Sequence, residues 1–231
     1  MTRHALPLCC LVALLWAGSP AADAGAVTPP PDNGPLEQSL LGAATKGDVR
    51  AVGDLLDRGA RIDAVDPVDG ATPLLKAVGN DDSTTAGLLV DRGANLEAVN
   101  AIGYTPLQFA AGLEYTGLAK MLAAKGADVN SRAGKVPALV HAANTANLEL
   151  VDFLLAKGAD PNLAAADGST ALMWASARGS GDIVGSLLKR GAKVDTVAAD
   201  GRTALSEAVA SDHADVAAQL TAAGARPAPA R

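Results

Sequence analysis

Apolar residues recur along this chain in short, evenly spaced bursts. Leu74, Ala77 and Val78 fall at helical spacing, and Leu107, Ala110 and Ala111 repeat the pattern further on. A second burst follows in each stretch, as in Ala51-Val52-Gly53-Asp54-Leu55-Leu56 and Leu150-Val151-Asp152-Phe153-Leu154-Leu155. The pairing predicts two short helices per stretch. Thr72 and Thr105 stand where a hydroxyl caps a helix, and Pro73 and Pro106 take the first helical position, where a missing N–H costs nothing. A Gly closes each second helix, since Gly tolerates the left-handed conformation. Asp69-Gly70, Asp167-Gly168 and Asp200-Gly201 are turn dipeptides, predicted at the tips between stretches.

Two landmarks give the period. Gly-Ala occurs at Gly59-Ala60, Gly93-Ala94, Gly126-Ala127, Gly158-Ala159, Gly191-Ala192 and Gly224-Ala225, at spacings of 34, 33, 32, 33 and 33. The unit start reads Gly70-Ala71-Thr72-Pro73-Leu74, Gly103-Tyr104-Thr105-Pro106-Leu107, Gly168-Ser169-Thr170-Ala171-Leu172 and Gly201-Arg202-Thr203-Ala204-Leu205. Val136-Pro137-Ala138-Leu139 is a degenerate copy, and Ser39-Leu40-Leu41 starts the first unit. This pattern resembles the ankyrin repeat, whose signature includes T-P-L-H-x-A and a period of about 33. The resemblance covers residues 36–227 and implies an all-α solenoid of about six helix-turn-helix units: 36–68, 69–101, 102–133, 134–166, 167–199 and 200–227.

The departures from the signature carry expectations of their own. The family's His is absent, its places taken by Gly42, Leu75, Gln108, Val140, Met173 and Ser206, so its hydrogen bonds must be replaced or lost. Ser83-Thr84-Thr85 replaces an aliphatic start, and Glu114 stands where Gly is usual between helices; looser or differently shaped connections are expected there. Asp212, His213, Asp215 and Gln219 are expected to give the last unit the polar outer face of a cap.

Residues 1–24 have a different pattern. Arg3 precedes an apolar run from Ala5 to Ala17, and Ala22-Asp23-Ala24 follows, the three-part layout of a secretory signal peptide. The run is shorter than the ~18 residues of a membrane span. Cleavage is expected after Ala24, with Ala24-Gly25-Ala26 offering a second choice, and the product is expected in the periplasm or outside the cell. Cys9 and Cys10 lie inside the apolar run, not after it, which argues against a lipid anchor. They are the only cysteines, and a mature chain without a disulfide suits a bacterial periplasm better than a secreted eukaryotic domain. Residues 25–35 read as a Pro-rich linker and 228–231 as a tail.

Composition narrows the function. A net charge of −6 disfavours nucleic acid as a partner, and 3% aromatics disfavour a close-packed all-β core. Ser186-Leu187-Leu188-Lys189 matches S-x-x-K but lacks the companion motifs of that chemistry, and it falls in a second helix. Gly179-Ser180-Gly181-Asp182 reads as an interhelical turn, and Asp81-Asp82 as a solvated one. His141 and His213 are far apart and no Cys follows the leader, so no metal site, cofactor or catalytic set is expected.

The resemblance implies a protein partner bound on a concave face of turn tips and first helices. Helical spacing puts Phe109, Gly112 and Leu113 there in the third unit, His141, Asn144 and Thr145 in the fourth, and Trp174, Ala177 and Arg178 in the fifth. The tips add Ile102, Tyr104, Val136 and Asp167. Phe109, His141 and Trp174 would form a row about 16–20 Å long. The partner-binding candidates are Ile102, Tyr104, Phe109, Leu113, His141, Trp174 and Arg178, while Phe153 is expected in the core. The implied function is a non-enzymatic periplasmic interaction module, a scaffold or a protective inhibitor; exported proteins of this look serve in peroxide defence or toxin neutralisation. The competing reading is an enzyme or small-ligand binder, with His141 and Arg178 as its polar pair.

Overall fold

A computed structural model describes residues 34–226, so the leader, most of the linker and the tail lie outside the described residues. Helices come in pairs: α1 (Pro35–Lys46) and α2 (Val49–Asp57), α3 (Pro73–Gly79) and α4 (Ser83–Asp91), α5 (Pro106–Gly112) and α6 (Thr116–Ala124). They continue as α7 (Ala138–Asn144) and α8 (Leu148–Ala156), α9 (Ala171–Ala177) and α10 (Gly181–Lys189), α11 (Ala204–Ala210) and α12 (Ala214–Ala222). No strand occurs among the described residues. Each first helix packs on its own second helix and on the first helices of adjacent units; second helices stack likewise. The result is an all-α, two-layer solenoid, as the repeat predicts. Pro35, assigned to the linker by sequence, instead opens α1.

Local chemistry sets the helix boundaries. Thr72, Thr105, Thr170 and Thr203 each accept a hydrogen bond from the N–H three residues on, at 3.1–3.4 Å. The fourth unit has Pro137 at this N-cap and no side-chain cap. Asp48, Asp82 and Asn147 cap second helices through their side chains. At each second-helix end, the Ala N–H after the left-handed Gly bonds back five residues, from Ala60 to Leu55 through to Ala225 to Leu220.

The connections inside the units depart from expectation. Gly47, Asp81, Glu114, Ala146, Gly179 and Asp212 all have positive φ, between 54° and 70°. The residue after each donates to the carbonyl five back: Asp48 to Ala43, Asp82 to Ala77, Tyr115 to Ala110, Asn147 to Ala142, Ser180 to Ala175 and His213 to Ala208. One turn is thus built six times. The second and third units are not looser or differently shaped, because stacking fixes the backbone and Asp81 and Glu114 bear the left-handed conformation. Asp82 has a structural role too, accepting from the N–H groups of Thr84 and Thr85.

The core is small and regular. Ala77, Ala110, Ala142, Ala175 and Ala208 hold one register position and are 0% exposed, with Ala43 buried at the same place in the first unit, which lets helix axes approach closely. Leu74, Leu107, Leu139 and Leu172 fill the next layer, with Leu89, Leu122, Leu154 and Leu187 from the second helices. Phe153, expected in this core, is instead partly exposed. It lies in register with Asp54 and Ser186 on the outer side, with Lys120 Nζ and Lys157 Nζ at 5.4 and 5.7 Å from its ring centre.

Two ladders tie units together. The N–H after each later Gly-Ala donates to an acid or amide of the preceding unit: Asn95 to Asp63, Asp128 to Glu97, Asp160 to Asn130, Lys193 to Asn162 and Arg226 to Asp195; in the first unit Arg61 N–H donates to Glu37 of the same unit. At the tips, Ala101 N–H donates to Asp69 O, Lys135 to Gly103 O, Ala166 to Lys135 O and Ala199 to Asp167 O. The missing signature His is replaced twice. Gln108 Oε1 accepts from Thr105 N at 3.1 Å while Nε2 donates to Ser131 O at 3.1 Å, and Ser206 Oγ accepts from Thr203 N at 2.8 Å. Leu75, Val140 and Met173 are buried apolar occupants of that place.

The last unit corrects another expectation. Gln219 Nε2 donates to Gly181 O at 3.2 Å, and the His213 ring lies against Gly179, so both turn back onto the fifth unit. Asp212 and Asp215 are exposed as expected. Val209, 62% exposed, stands where Val78, Ala111, Ala143 and Ser176 are buried by the next unit.

Candidate protein-binding groove

The fourth residue after each first-helix N-cap lies beside its own tip, on the side the ankyrin-like pattern assigns to the groove. In the second to sixth units these residues are Lys76, Phe109, His141, Trp174 and Glu207. The residue before each N-cap belongs to the tip: Ala71, Tyr104, Val136, Ser169 and Arg202. Five successive units therefore present five different pairs in one geometry.

Ion pairs close the two ends. Lys76 Nζ is 2.7 Å from both Asp66 Oδ2 and Asp69 Oδ2. The hydrogen bond from Lys76 holds the Asp66 carboxyl below the usual carboxylate range. Arg202 reaches Glu207 Oε1 at 3.1 Å and Asp167 Oδ2 at 3.4 Å, and also pairs with Asp200.

The centre is aromatic. Tyr104 and Phe109 stack with centroids 6.3 Å apart and planes 11° apart, and His141 meets Tyr104 edge-on at 5.2 Å and 72°. Burial raises the Tyr104 phenol above its usual range. Small residues of the preceding helix make room for the rings. A Cβ at Gly79 would lie 3.3 Å from Phe109 Cε1, and one at Gly112 would lie 3.2 Å from His141 Nδ1. His141 is only 9% exposed, and its Nε2 has no hydrogen-bond partner among the described residues. Burial pushes this imidazole down to about 4, so it is neutral near pH 7. Trp174 is partly buried, and its Nε1 donates to Ser169 Oγ at 3.2 Å. Ser169 Oγ donates in turn to Asp167 Oδ1 at 2.6 Å, fixing the indole through a tip carboxylate. Arg178, one turn after Trp174, gives Nη2 and Nε to Asn144 Oδ1 at 2.8 and 3.3 Å.

The sequence-predicted residues thus occupy different environments. Tyr104, Phe109 and His141 are in contact. Trp174 and Arg178 share the next groove helix. Ile102 is 52% exposed at its tip, and Leu113 caps α5, partly buried. Val136, expected on a tip, is buried against the core. His141 and Arg178 do not form the polar pair of the competing reading, because His141 is enclosed and Arg178 is turned to Asn144. Ser169, Asn144 and Lys135 position or flank the groove. Lys135 had a signal in the sequence, since it replaces the tip glycine found at Gly70, Gly103, Gly168 and Gly201. The described residues contain no cluster of three or more potential metal ligands, and no helix among them is long and apolar enough to cross a membrane.

Comparison with known proteins agrees with this architecture. A family model described as ankyrin repeats (3 copies) matches residues 40–133 and 139–229, and the gap between the two stretches falls at the degenerate tip before α7. The crystal structure of an ankyrin repeat domain from Acinetobacter baumannii AYE is similar, with a TM-score of 0.74 and 30% identity. That likeness covers 81% of this chain and 98% of the other. No curated protein matches.

Proposed function

This chain belongs to the ankyrin-repeat family, whose fold is generally a non-enzymatic protein-interaction module, and from that premise we propose that it binds a protein partner in the groove of its third to fifth units. The observation that carries this reading is the change of chemistry along one register. Lys76 and Glu207 are closed by ion pairs within the chain, whereas Tyr104, Phe109 and Trp174 are partly exposed aromatic surfaces on a rigid scaffold. Aromatics and Arg are the residues that most often anchor an interface.

The leader pattern of residues 1–24 supports a periplasmic or secreted site of action, with the mature chain starting near Gly25. There it would act as a scaffold or as a protective inhibitor of its partner, in peroxide defence or toxin neutralisation. Intact-mass measurement of protein from the periplasm tests export: loss of the first 24 residues is expected, and a full-length cytoplasmic chain would refute it. The groove is tested by partner capture with Tyr104→Ala, Phe109→Ala and Trp174→Ala beside Phe153→Ala on the outer face. Loss of the partner in the first three, with capture retained by Phe153→Ala, is expected. Equal capture by all four would refute the groove.

A further inference from the structure

Resting on the groove reading above, we infer that the partner presents a segment in which an aromatic or aliphatic side chain sits beside a carboxylate. The argument is one of charge complementarity. Of the cations on the tips and first helices of the second to sixth units, Lys76 and Arg202 have carboxylate partners inside the chain. Arg178 and Lys135 form no ion pair among the described residues, and both flank the aromatic centre. Arg178 is exposed, and its guanidinium is aimed by the neutral oxygen of Asn144, which fixes its direction without cancelling its charge. An aimed, planar, uncompensated fork is the arrangement that suits a carboxylate.

Lys135 stands at the tip of the fourth unit. Its N–H donates to Gly103 O and its carbonyl accepts from Ala166 N–H, so its backbone is fixed in the tip ladder. Its stem lies over Gly103, where a Cβ would be 3.1 Å from Lys135 Cε. The carboxylates of the tips and first helices are meanwhile committed: Asp66 and Asp69 to Lys76, Asp167 to Ser169 and Arg202, Glu207 to Arg202. A basic segment would find no unpaired acid among them, whereas an acidic one finds Lys135 over the residue before Tyr104 and Arg178 one turn after Trp174. A polyanion is a poor fit, because two cations on a chain of net charge −6 cannot neutralise a phosphate backbone.

The test selects phage-displayed random peptides on the full chain as the cell processes it. Enriched peptides are then titrated against the parent, Arg178→Ala, Arg178→Lys and Trp174→Ala. The expected result is enrichment of sequences pairing an aromatic or aliphatic residue with Asp or Glu. Arg178→Ala should weaken them about tenfold, and replacing the peptide acid by its amide in that variant should cost little more. Arg178→Lys should restore part of the loss. Peptides that Trp174→Ala abolishes, but that carry no acid or ignore Arg178→Ala, would overturn this inference and leave the groove reading standing. Peptides indifferent to Trp174→Ala, or no enrichment at all, would overturn both.

Discussion

In the second and sixth units, the groove position four residues after the helix N-cap holds Lys76 and Glu207, and each is paired with its own tip. In the third to fifth units the same position holds Phe109, His141 and Trp174, and the rings contact a neighbouring ring or a hydroxyl. The backbone is the same in both regions, down to the turn between helices. What differs is whether the side-chain chemistry is completed inside the chain. The ends are completed and the centre is only partly so, and on this contrast rests the proposal that a partner is recognised at the centre. It also separates two energy scales: leucines and alanines between units hold the solenoid, and the central rings are available for a partner.

The largest expected effect uses that separation. Leu107→Ala should lose about 2–5 kcal/mol of folding free energy by thermal or denaturant unfolding, because Leu107 is fully enclosed. Phe109→Ala and Trp174→Ala should lose clearly less stability, yet cost about 1–4 kcal/mol of partner binding. Equal destabilisation by all three would make the rings part of the scaffold and erase the contrast.

Next comes pH. The folded protein holds His141 neutral down to about 4, whereas an unfolded His titrates near 6.5. The unfolded chain therefore binds more protons in between, and stability falls as pH drops from about 6.5 towards 4, then levels off. The full span corresponds to about 3 kcal/mol at ~1.4 kcal/mol per pH unit. His141→Leu should flatten the slope in unfolding curves taken across that window; an unchanged slope would place its origin elsewhere.

A smaller pair of effects probes turns and ends. Ala146 has φ 54°, so Ala146→Gly should raise stability by up to about 1 kcal/mol, whereas Gly47→Ala, at φ 70°, should lower it by a similar amount. Lys76→Met, at the second-unit end, should change partner binding little. A loss of capture comparable to that of Trp174→Ala would show that the contacts extend beyond the centre.

The fold was legible because its landmarks are local: a capping Thr, a Pro at the first helical position, a Gly that turns left-handed. The groove was legible in register, since Phe109, His141 and Trp174 do share one position. Their environments were not, because these depend on the preceding unit. Gly112 leaves the space that encloses His141, and Val136 is covered where Tyr104 is partly exposed. Phe153 and Trp174 are both aromatic residues inside helices. Phe153 belongs to a second helix and Trp174 to a first one, and that, with the register inside each helix, separates the outer side from the groove. Ser83-Thr84-Thr85 and Glu114 suggested irregular connections by residue type, and stacking overruled them. The ladder of Asp63, Glu97, Asn130, Asn162 and Asp195 leaves a plain mark, an acid or amide four residues after the Gly of each of the first five Gly-Ala pairs.

Trp174 offers the most direct test. The sequence has two tryptophans, Trp16 in the leader and Trp174 in the groove, so the emission of a chain without residues 1–24 reports the groove alone. Its fluorescence can be followed during titration with the captured partner, or with a selected peptide free of tryptophan, together with acrylamide quenching. Recognition by the central units predicts a shift of emission and reduced quenching that saturate with binding, and both should persist in Phe153→Ala. Saturable binding that leaves the emission and quenching of Trp174 unchanged would contradict it.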